Sequence, residues 1–265
     1  SACWAWDGGA SGASPAPHPR RTARVGRTAQ QKKTANSRMP ANDRVPANNR
    51  LANGRILKEE ENKVEPLNIS TARSGDVGDV VDVLTKAFRE DPFTLATIGP
   101  RQRYEDVMPR AFRALVEECF LPYGRIDVAR DGAGTAVGAA AWRAPGREPG
   151  LIARARMNAR LLAAHGRSTL RARRLERESD KLAPRFPHWY LGFLGVVGEA
   201  QGRGVGGALL DRGIAEAGGH AAYLESSTPG SQALYERKGF IPMGAAAQGK
   251  PWAVVCMWRP GKVER

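Results

Sequence analysis

Histidine and cysteine are scarce in this sequence, and it contains no long hydrophobic run. Four histidines and three cysteines are spread over 265 residues, with Cys3, Cys119 and Cys256 far apart. This spacing forms neither a disulfide framework nor a set of paired zinc ligands, so we expect a cytoplasmic protein without a bound metal. No apolar segment approaches the roughly 18 residues that a membrane-spanning helix needs, so we expect no membrane partner.

Acidic residues are outnumbered by basic ones, 27 against 41, which leaves a formal net charge of +14. Such a charge raises nucleic acid, acidic lipid or a polyanionic ligand as a partner. The stretch 143–185 holds twelve Arg or Lys residues and four acids, but no aromatic residue of the kind that stacks on bases. We therefore expect a solvated helical surface there and no nucleic-acid partner.

Residues 1–65 differ in composition from the rest of the chain. They are rich in Gly, Pro, Asn, Ser and Arg and have no sustained apolar period, as in "GGASGASPAPHPRR". This composition predicts a disordered basic low-complexity tail. Three interpretations stay open: an arm that binds nucleic acid, an organelle transit segment, or a stretch translated from upstream of the true start, since the first methionine is Met39.

From residue 66 to about 260 the pattern predicts one α/β domain. Helical spacing of apolar residues indicates helices over 75–89, 103–118, 151–183, 205–217 and 230–239. Strands are predicted over 67–72, 125–130, 135–143, 189–197, 221–227 and 251–258, with a hairpin turn at 131–134. The strand–helix–strand–helix order after residue 189 favours a sheet that contains a parallel pair.

Five glycines lie between Gly198 and Gly207, directly between a predicted strand and a predicted helix. The first N–H groups of a helix lack internal partners, and glycine lets an anion approach them, so the loop predicts a site for pyrophosphate. It is not a Walker loop, because no Gly-Lys-Ser/Thr follows. "GRGVGG" also misses the last spacing of the dinucleotide fingerprint, although Glu225 lies about 20 residues further on.

The stretches "LGVVGEAQGRGVGGALL" and "YLESSTPGSQALYERKGF" resemble the acetyl-CoA-dependent N-acetyltransferases of the GNAT superfamily. The signature Q/R-x-x-G-x-G/A of that family is matched by Gln201, Gly204 and Gly206. Within the superfamily the chain is most similar to the puromycin N-acetyltransferases and their relatives, through "AFREDP", "AAAWRAPG" and "CMWRP" as well. Gly198 stands where these relatives usually have a proline after the strand.

The resemblance implies a GNAT fold, a mixed central sheet splayed in the middle with helices on both faces. It implies acetyl-CoA as cosubstrate and no metal. The residues it assigns to cofactor binding are Leu194, Gly195, Val196, Gln201, Gly202, Arg203, Gly204, Val205, Gly206, Gly207 and Ser231. The first three act through the backbone, and Ser231 is also a candidate helix cap.

Two catalytic residues follow from the resemblance. Tyr235 aligns with the general acid that protonates the leaving thiolate, and Glu225 with a glutamate that deprotonates the amine. His188 and Glu199 are weaker candidates for the base, and ordered water is an alternative to any of them. A core tyrosine is the alternative for Tyr235.

The expected activity is transfer of an acetyl group to a primary amine, with a small-molecule acceptor such as an aminonucleoside-like compound. The alternatives are a protein or peptide amine acetyltransferase and a non-catalytic acetyl-CoA-binding module associated with nucleic acid. The sequence leaves the acceptor and the oligomeric state open, because fold-level analogy is a weak guide to substrate.

Overall fold

The structure, a computed structural model, describes residues 67–262. The predicted tail, residues 1–65, lies outside the described residues. The described part contains a seven-stranded sheet in the order β1-β2-β3-β4-β5-β7-β6. The strands are β1 (Asn68–Thr71), β2 (Gly124–Arg130), β3 (Ala136–Arg143), β4 (Trp189–Val196), β5 (Ala222–Ser226), β6 (Ile241–Ala246) and β7 (Val254–Arg259).

Every neighbouring pair in this sheet is antiparallel except β4 and β5, which are parallel. This arrangement confirms the predicted mixed α/β sheet and its single parallel pair. The helices are α1 (Val77–Ala87), α2 (Pro92–Thr97), α3 (Tyr104–Leu115), α4 (Leu121–Tyr123), α5 (Leu151–His165), α6 (Thr169–Asp180), α7 (Val205–Glu216) and α8 (Pro229–Arg237). One π-helical turn, Val116–Phe120, joins α3 to α4. Among the described helices, none combines the length and the apolar character that crossing a bilayer requires.

Helices α1 and α7 cover opposite faces of the central strands. Gly138 of β3 lies beside Val196, and the next residue of β3 lies beside Gly195, so the two glycines face opposite sides of the sheet. A Cβ atom at Gly138 would lie 2.8 Å from Val205 of α7, whereas one at Gly195 would lie 2.9 Å from Ala87 of α1. Small residues in the central strands therefore let both helices pack closely, which confirms helices on both faces.

The main differences from the sequence prediction concern α2, the pair α5 and α6, and β6. Helix α2 was not predicted; it begins because the Asp91 side chain accepts a hydrogen bond from the N–H of Thr94 at 2.7 Å and Pro92 occupies the first turn. The helix predicted over 151–183 is two helices, α5 and α6, because Gly166 has φ of +54° and breaks the path. Strand β6 was also missed, since its residues are mostly exposed and include Pro242.

A buried ion cluster ties β2 to the rest of the sheet. Asp127 is 0% exposed, and its carboxylate accepts hydrogen bonds from Arg125 at 2.9 Å and from Arg212 of α7 at 3.1 Å. Thr71 of β1 donates a third at 3.3 Å. A carboxylate so deeply buried is stable only with such partners, so this cluster links three elements on the side of the sheet that α7 covers.

Candidate active site

Strands β4 and β5 separate in the middle of the sheet. They pair only from Trp189 to Leu191 and from Ala222 to Leu224, while β4 remains paired with β3 as far as Val196. The register of β4 against β3 shifts at Gly192, which marks a β-bulge where the pairing with β5 ends. The splayed sheet implied by the resemblance is therefore present.

Leu194, Gly195 and Val196 lie on the part of β4 that has left β5. Their register along β3 is Ala140, Ala139 and Gly138, so one edge of the segment is paired and the edge towards β5 is open. An open strand edge can bind an extended ligand through main-chain hydrogen bonds. The geometry therefore fits the pantetheine arm that the sequence analysis placed here.

The glycine loop between β4 and α7 has a backbone that requires glycine at two positions. Gly202 has φ of +74° and Gly204 has φ of +82°, both in the left-handed region. Gly204 caps α7 without a side-chain hydrogen bond, and the first backbone bond of the helix runs from Ala208 N–H to Gly204 O at 3.0 Å. The N–H groups of Val205, Gly206 and Gly207 therefore point out of the helix end, where an anion is stabilised.

Two side chains of the loop differ in their surroundings. Gln201 donates from Nε2 to the carbonyl of Val196 at 3.1 Å, so its side chain closes the turn after β4. Arg203 is exposed at the tip of the loop. Lys238 lies across from them, its Nζ 4.0 Å from the position that a Cβ of Gly207 would take, while it pairs with Asp211 at 2.6 Å. Arg203 and Lys238 both add positive potential beside the N-terminus of α7.

Ser231 lies in the first turn of α8, but the capping residue is Thr228. Thr228 Oγ1 accepts the Ser231 N–H at 3.2 Å, so the interpretation of Ser231 as the cap is wrong. Ser231 Oγ instead donates to Thr228 O at 2.9 Å and lies 2.7 Å from the hydroxyl of Ser226. Ser231 therefore fastens the end of β5 to the start of α8.

Tyr235 of α8 is 6% exposed, and the edge of its ring contacts Phe240 at 6.0 Å between centroids. Burial, and then the charge of Asp91, raises the pKa of Tyr235 above its ordinary value. The phenol is therefore protonated at neutral pH, the form that a proton donor needs.

Glu225 ends β5 beside a buried tyrosine. Tyr190 donates its hydroxyl to Glu225 Oε2 at 2.8 Å, and Arg143 stacks over the Tyr190 ring at 5.2 Å. The other oxygen, Oε1, is buried and has no hydrogen-bond partner among the described residues. Burial and the Glu225 charge raise the pKa of Tyr190 well above its usual value, so this hydroxyl stays a donor to the carboxylate.

A cavity of about 110 Å³ lies next to Glu225, under α2 and α6 and beside the free part of β4. Five of its lining residues are aromatic, and one of them, Phe193, packs edge-on against Phe112 and Phe120 at 5.3 Å between centroids. The residues that line it are Phe88, Asp91, Phe93, Thr94, Leu115, Phe120, Glu176, Ser179, Tyr190, Gly192, Phe193, Glu225, Ser227 and Val254. It lies where β4 and β5 separate, and we call it the acceptor cavity after the role that we propose for it below.

Three residues that line this cavity were not predicted as site residues from the sequence: Asp91, Glu176 and Tyr190. Asp91 precedes Pro92 at a helix start, a detectable capping signal. The buried positions of α6 are Thr169, Ala172, Glu176 and Ser179, spaced by three or four. A glutamate that shares a helical face with three small residues is a second signal of a buried polar position. It was not recognised because many arginines surround it in the sequence.

The weaker base candidates lie elsewhere. The His188 ring contacts Tyr223 at 5.7 Å and Trp258 at 6.0 Å, and its Nδ1 lies 2.7 Å from Phe186 O. Glu199 is exposed in the single 3-10 turn after β4. Neither side chain lines the acceptor cavity.

Comparisons with known proteins agree with this geometry. The sequence model of the acetyltransferase (GNAT) family matches residues 93–240. A solved structure from Corynebacterium glutamicum, described as histone acetyltransferase HPA2 and related acetyltransferase, is 32% identical. The alignment covers 75% of this chain and 98% of that one, with a TM-score of 0.62.

A second solved structure is the C-terminal condensation domain of Ebony in complex with β-alanyl-dopamine. It is 12% identical and has a TM-score of 0.50, over 74% of this chain and 99% of that one. At that identity the likeness concerns the fold alone. The family match, the close Corynebacterium relative and the splayed sheet together establish that this chain belongs to the GNAT family of acetyltransferases, enzymes that act on acetyl-CoA.

Proposed function

We propose that this acetyltransferase transfers the acetyl group of acetyl-CoA to the primary amine of a small molecule held in the acceptor cavity. The observation that carries the proposal is the unpartnered, buried Oε1 of Glu225, which lies in a cavity of about 110 Å³ beside the free edge of β4. Such an oxygen is suited to bind the ammonium group of an acceptor.

The size of the cavity favours a small acceptor over a protein. Its volume is on the scale of the ~150 Å³ cavity that holds one benzene ring. The similarity to a protein described as a histone acetyltransferase raises a lysine side chain as the second candidate. The resemblance to puromycin N-acetyltransferases supports an aminonucleoside-like compound instead. The enclosing helices α2 and α6 favour the small molecule, since a protein substrate needs an open groove.

Acetyl-CoA supplies the activated acyl group as a thioester. We propose that its pyrophosphate binds the backbone N–H groups of residues 205–207. The left-handed conformations of Gly202 and Gly204 leave this end of α7 open. The pantetheine arm lies along the open edge of β4 at 194–196. This placement directs the thioester towards the end of β5, where the acceptor cavity begins.

Two side chains complete the chemistry in this proposal. Glu225 takes a proton from the ammonium group of the acceptor, and the free amine nitrogen bonds to the carbonyl carbon of the thioester. The C–S bond then breaks, and Tyr235 gives its proton to the leaving sulfur. The surplus proton of the acetylated nitrogen passes through solvent to the tyrosinate, which leaves a neutral amide, the CoA thiol and a neutral Tyr235.

The test measures thiol release from acetyl-CoA over a panel of small amines, with Tyr235→Phe and Glu225→Gln as variants. Loss of a general acid or base lowers kcat by roughly 10²- to 10⁴-fold. We expect Tyr235→Phe to leave the acetyl-CoA dissociation constant unchanged, because the ring remains. We expect the deficit of Glu225→Gln to shrink as pH rises, because the amine then loses its proton to solvent.

Tyr123→Phe and Glu105→Gln are the matched controls, since Tyr123 lies in α4, Glu105 is exposed on α3, and neither has a role in the proposed chemistry. Both should retain the activity of the parent protein. Equal turnover by Tyr235→Phe at saturating acetyl-CoA would show its hydroxyl to be structural. Turnover of a lysine peptide, but of no small amine, would favour the protein acceptor.

A further inference from the structure

A second glutamate lines the acceptor cavity. Glu176 of α6 is 7% exposed, lines the cavity, and has a buried Oε2 without a hydrogen-bond partner among the described residues. The neighbouring buried positions on the helix, Ala172 and Ser179, are small. A buried carboxyl group in this position costs stability unless a ligand satisfies it.

The other groups of the cavity do not neutralise this carboxyl. Among its described lining residues there is no lysine, arginine or histidine. Asp91 is already engaged, since it accepts hydrogen bonds from the Thr94 N–H and from the Ser227 hydroxyl. Burial first, and then the charges of Asp180 and Glu225, raise the pKa of Glu176 well above its usual range. The cavity therefore has two carboxyl groups with free oxygens and no fixed cation.

We propose that Glu176 is a specificity-determining residue that binds a second ammonium group of the acceptor, so that the preferred substrate is a diamine with an apolar, ring-sized body. Glu225 holds the nitrogen that is acetylated, Glu176 holds the other nitrogen, and the aromatic walls contact the body between them. The proposal rests on the function proposed above and narrows its substrate class.

The apolar walls explain why the body matters as well as the charges. Phe88, Phe93, Phe120 and Phe193 line the same cavity as the two glutamates. An ammonium group stripped of water in such surroundings is held by a charge-assisted hydrogen bond to a carboxylate. A monoamine of the same shape leaves Glu176 unsatisfied, so the site discriminates against it.

The experiment compares para-xylylenediamine with 4-methylbenzylamine, which share a ring and differ in one aminomethyl group. We measure kcat/KM by thiol release, and the dissociation constants by calorimetry with the CoA-saturated protein. We expect a preference of roughly 10- to 100-fold for the diamine, the effect of one hydrogen bond between charged groups. Glu176→Gln should reduce that preference to about twofold, chiefly through a loss of affinity for the diamine.

Glu178→Gln is the control, because Glu178 lies two residues away on α6, is exposed, and pairs with Lys181 at 2.9 Å. It should keep the full preference for the diamine. Equal dissociation constants of the two amines for the parent protein would overturn the role of Glu176, and this comparison needs no variant. An equal loss for both amines in Glu176→Gln would overturn it as well, by showing a structural role.

The two proposals fail in different ways. If the diamine binds with the Glu176-dependent preference but no amine releases thiol, the proposed acetyl transfer fails and the second ammonium site stands. If both amines are acetylated with equal kcat/KM and bind equally, the acetyl transfer stands and the role of Glu176 fails.

Discussion

Replacing Gly204 and Gly206 by alanine, one at a time, should change the stability of the protein in opposite directions. Gly204 has φ of +82° and no atom within 4 Å of a built Cβ, so its variant meets strain but no clash. Gly206 lies in the first turn of α7, and its Cβ would make ordinary contacts with Leu234 at 3.5 Å and Val196 at 3.6 Å. Only Gly204→Ala places a side chain on a residue whose backbone conformation is unfavourable for it.

The magnitudes follow from these conformations. A left-handed φ at a residue with a side chain costs about 1–2 kcal/mol, so Gly204→Ala should lower the free energy of unfolding by that amount. Alanine in a helix is better than glycine by roughly 0.5–1 kcal/mol, so Gly206→Ala should raise it. For a domain of this size each kcal/mol shifts Tm by about 2–4 °C.

Thermal denaturation with and without acetyl-CoA separates stability from binding. If the phosphates lie against the helix terminus, acetyl-CoA should raise the Tm of both variants less than that of the parent protein. Gly206→Ala is then the decisive variant, because its Tm without ligand should rise while the further rise in Tm that acetyl-CoA produces should shrink. Changes of the same sign in the two ligand-free variants would refute the conformational explanation. An undiminished acetyl-CoA shift in both would refute the placement of the phosphates.

Two further predictions concern stability. Asp127→Ala leaves Arg125 and Arg212 without their buried partner, so urea unfolding should show a loss of about 3 kcal/mol; a loss below about 1 kcal/mol would mean that solvent replaces the carboxylate. Burial lowers the pKa of His165 from 6.5 to about 4. As the pH drops, His165 therefore takes up a proton in the unfolded chain before it does so in the folded protein. The free energy of unfolding should fall by roughly 3 kcal/mol between pH 6.5 and about pH 4. His165→Gln should flatten that part of the pH profile, whereas substitution of the exposed His220 should not; identical profiles for the two variants would contradict the assignment to His165.

Local patterns predicted the helices and strands that carry the cofactor end of the site. The glycine spacing and the apolar period after it indicated β4, the loop and α7 with bounds that the structure changes by a residue or two. Helix α2 and strand β6 escaped, because α2 is only six residues long and β6 is an edge strand without clear alternation. The chain leaves the helical path between α5 and α6 because Gly166 has a positive φ. The helical period of the sequence does not show such a conformation.

The sequence by itself determined where the glycine loop and the start of α7 lie, because both depend on consecutive residues whose backbone conformations are local. It also supplied Tyr235 and Glu225, through a resemblance confined to short motifs. The acceptor end was decided by the tertiary structure alone. Asp91 meets Ser227, 136 positions away, and Glu176 of α6 lines the same cavity as Glu225 of β5. The separation of β4 from β5 and the turn at Gly166 bring these side chains together, and both depend on packing between distant segments that no local pattern encodes.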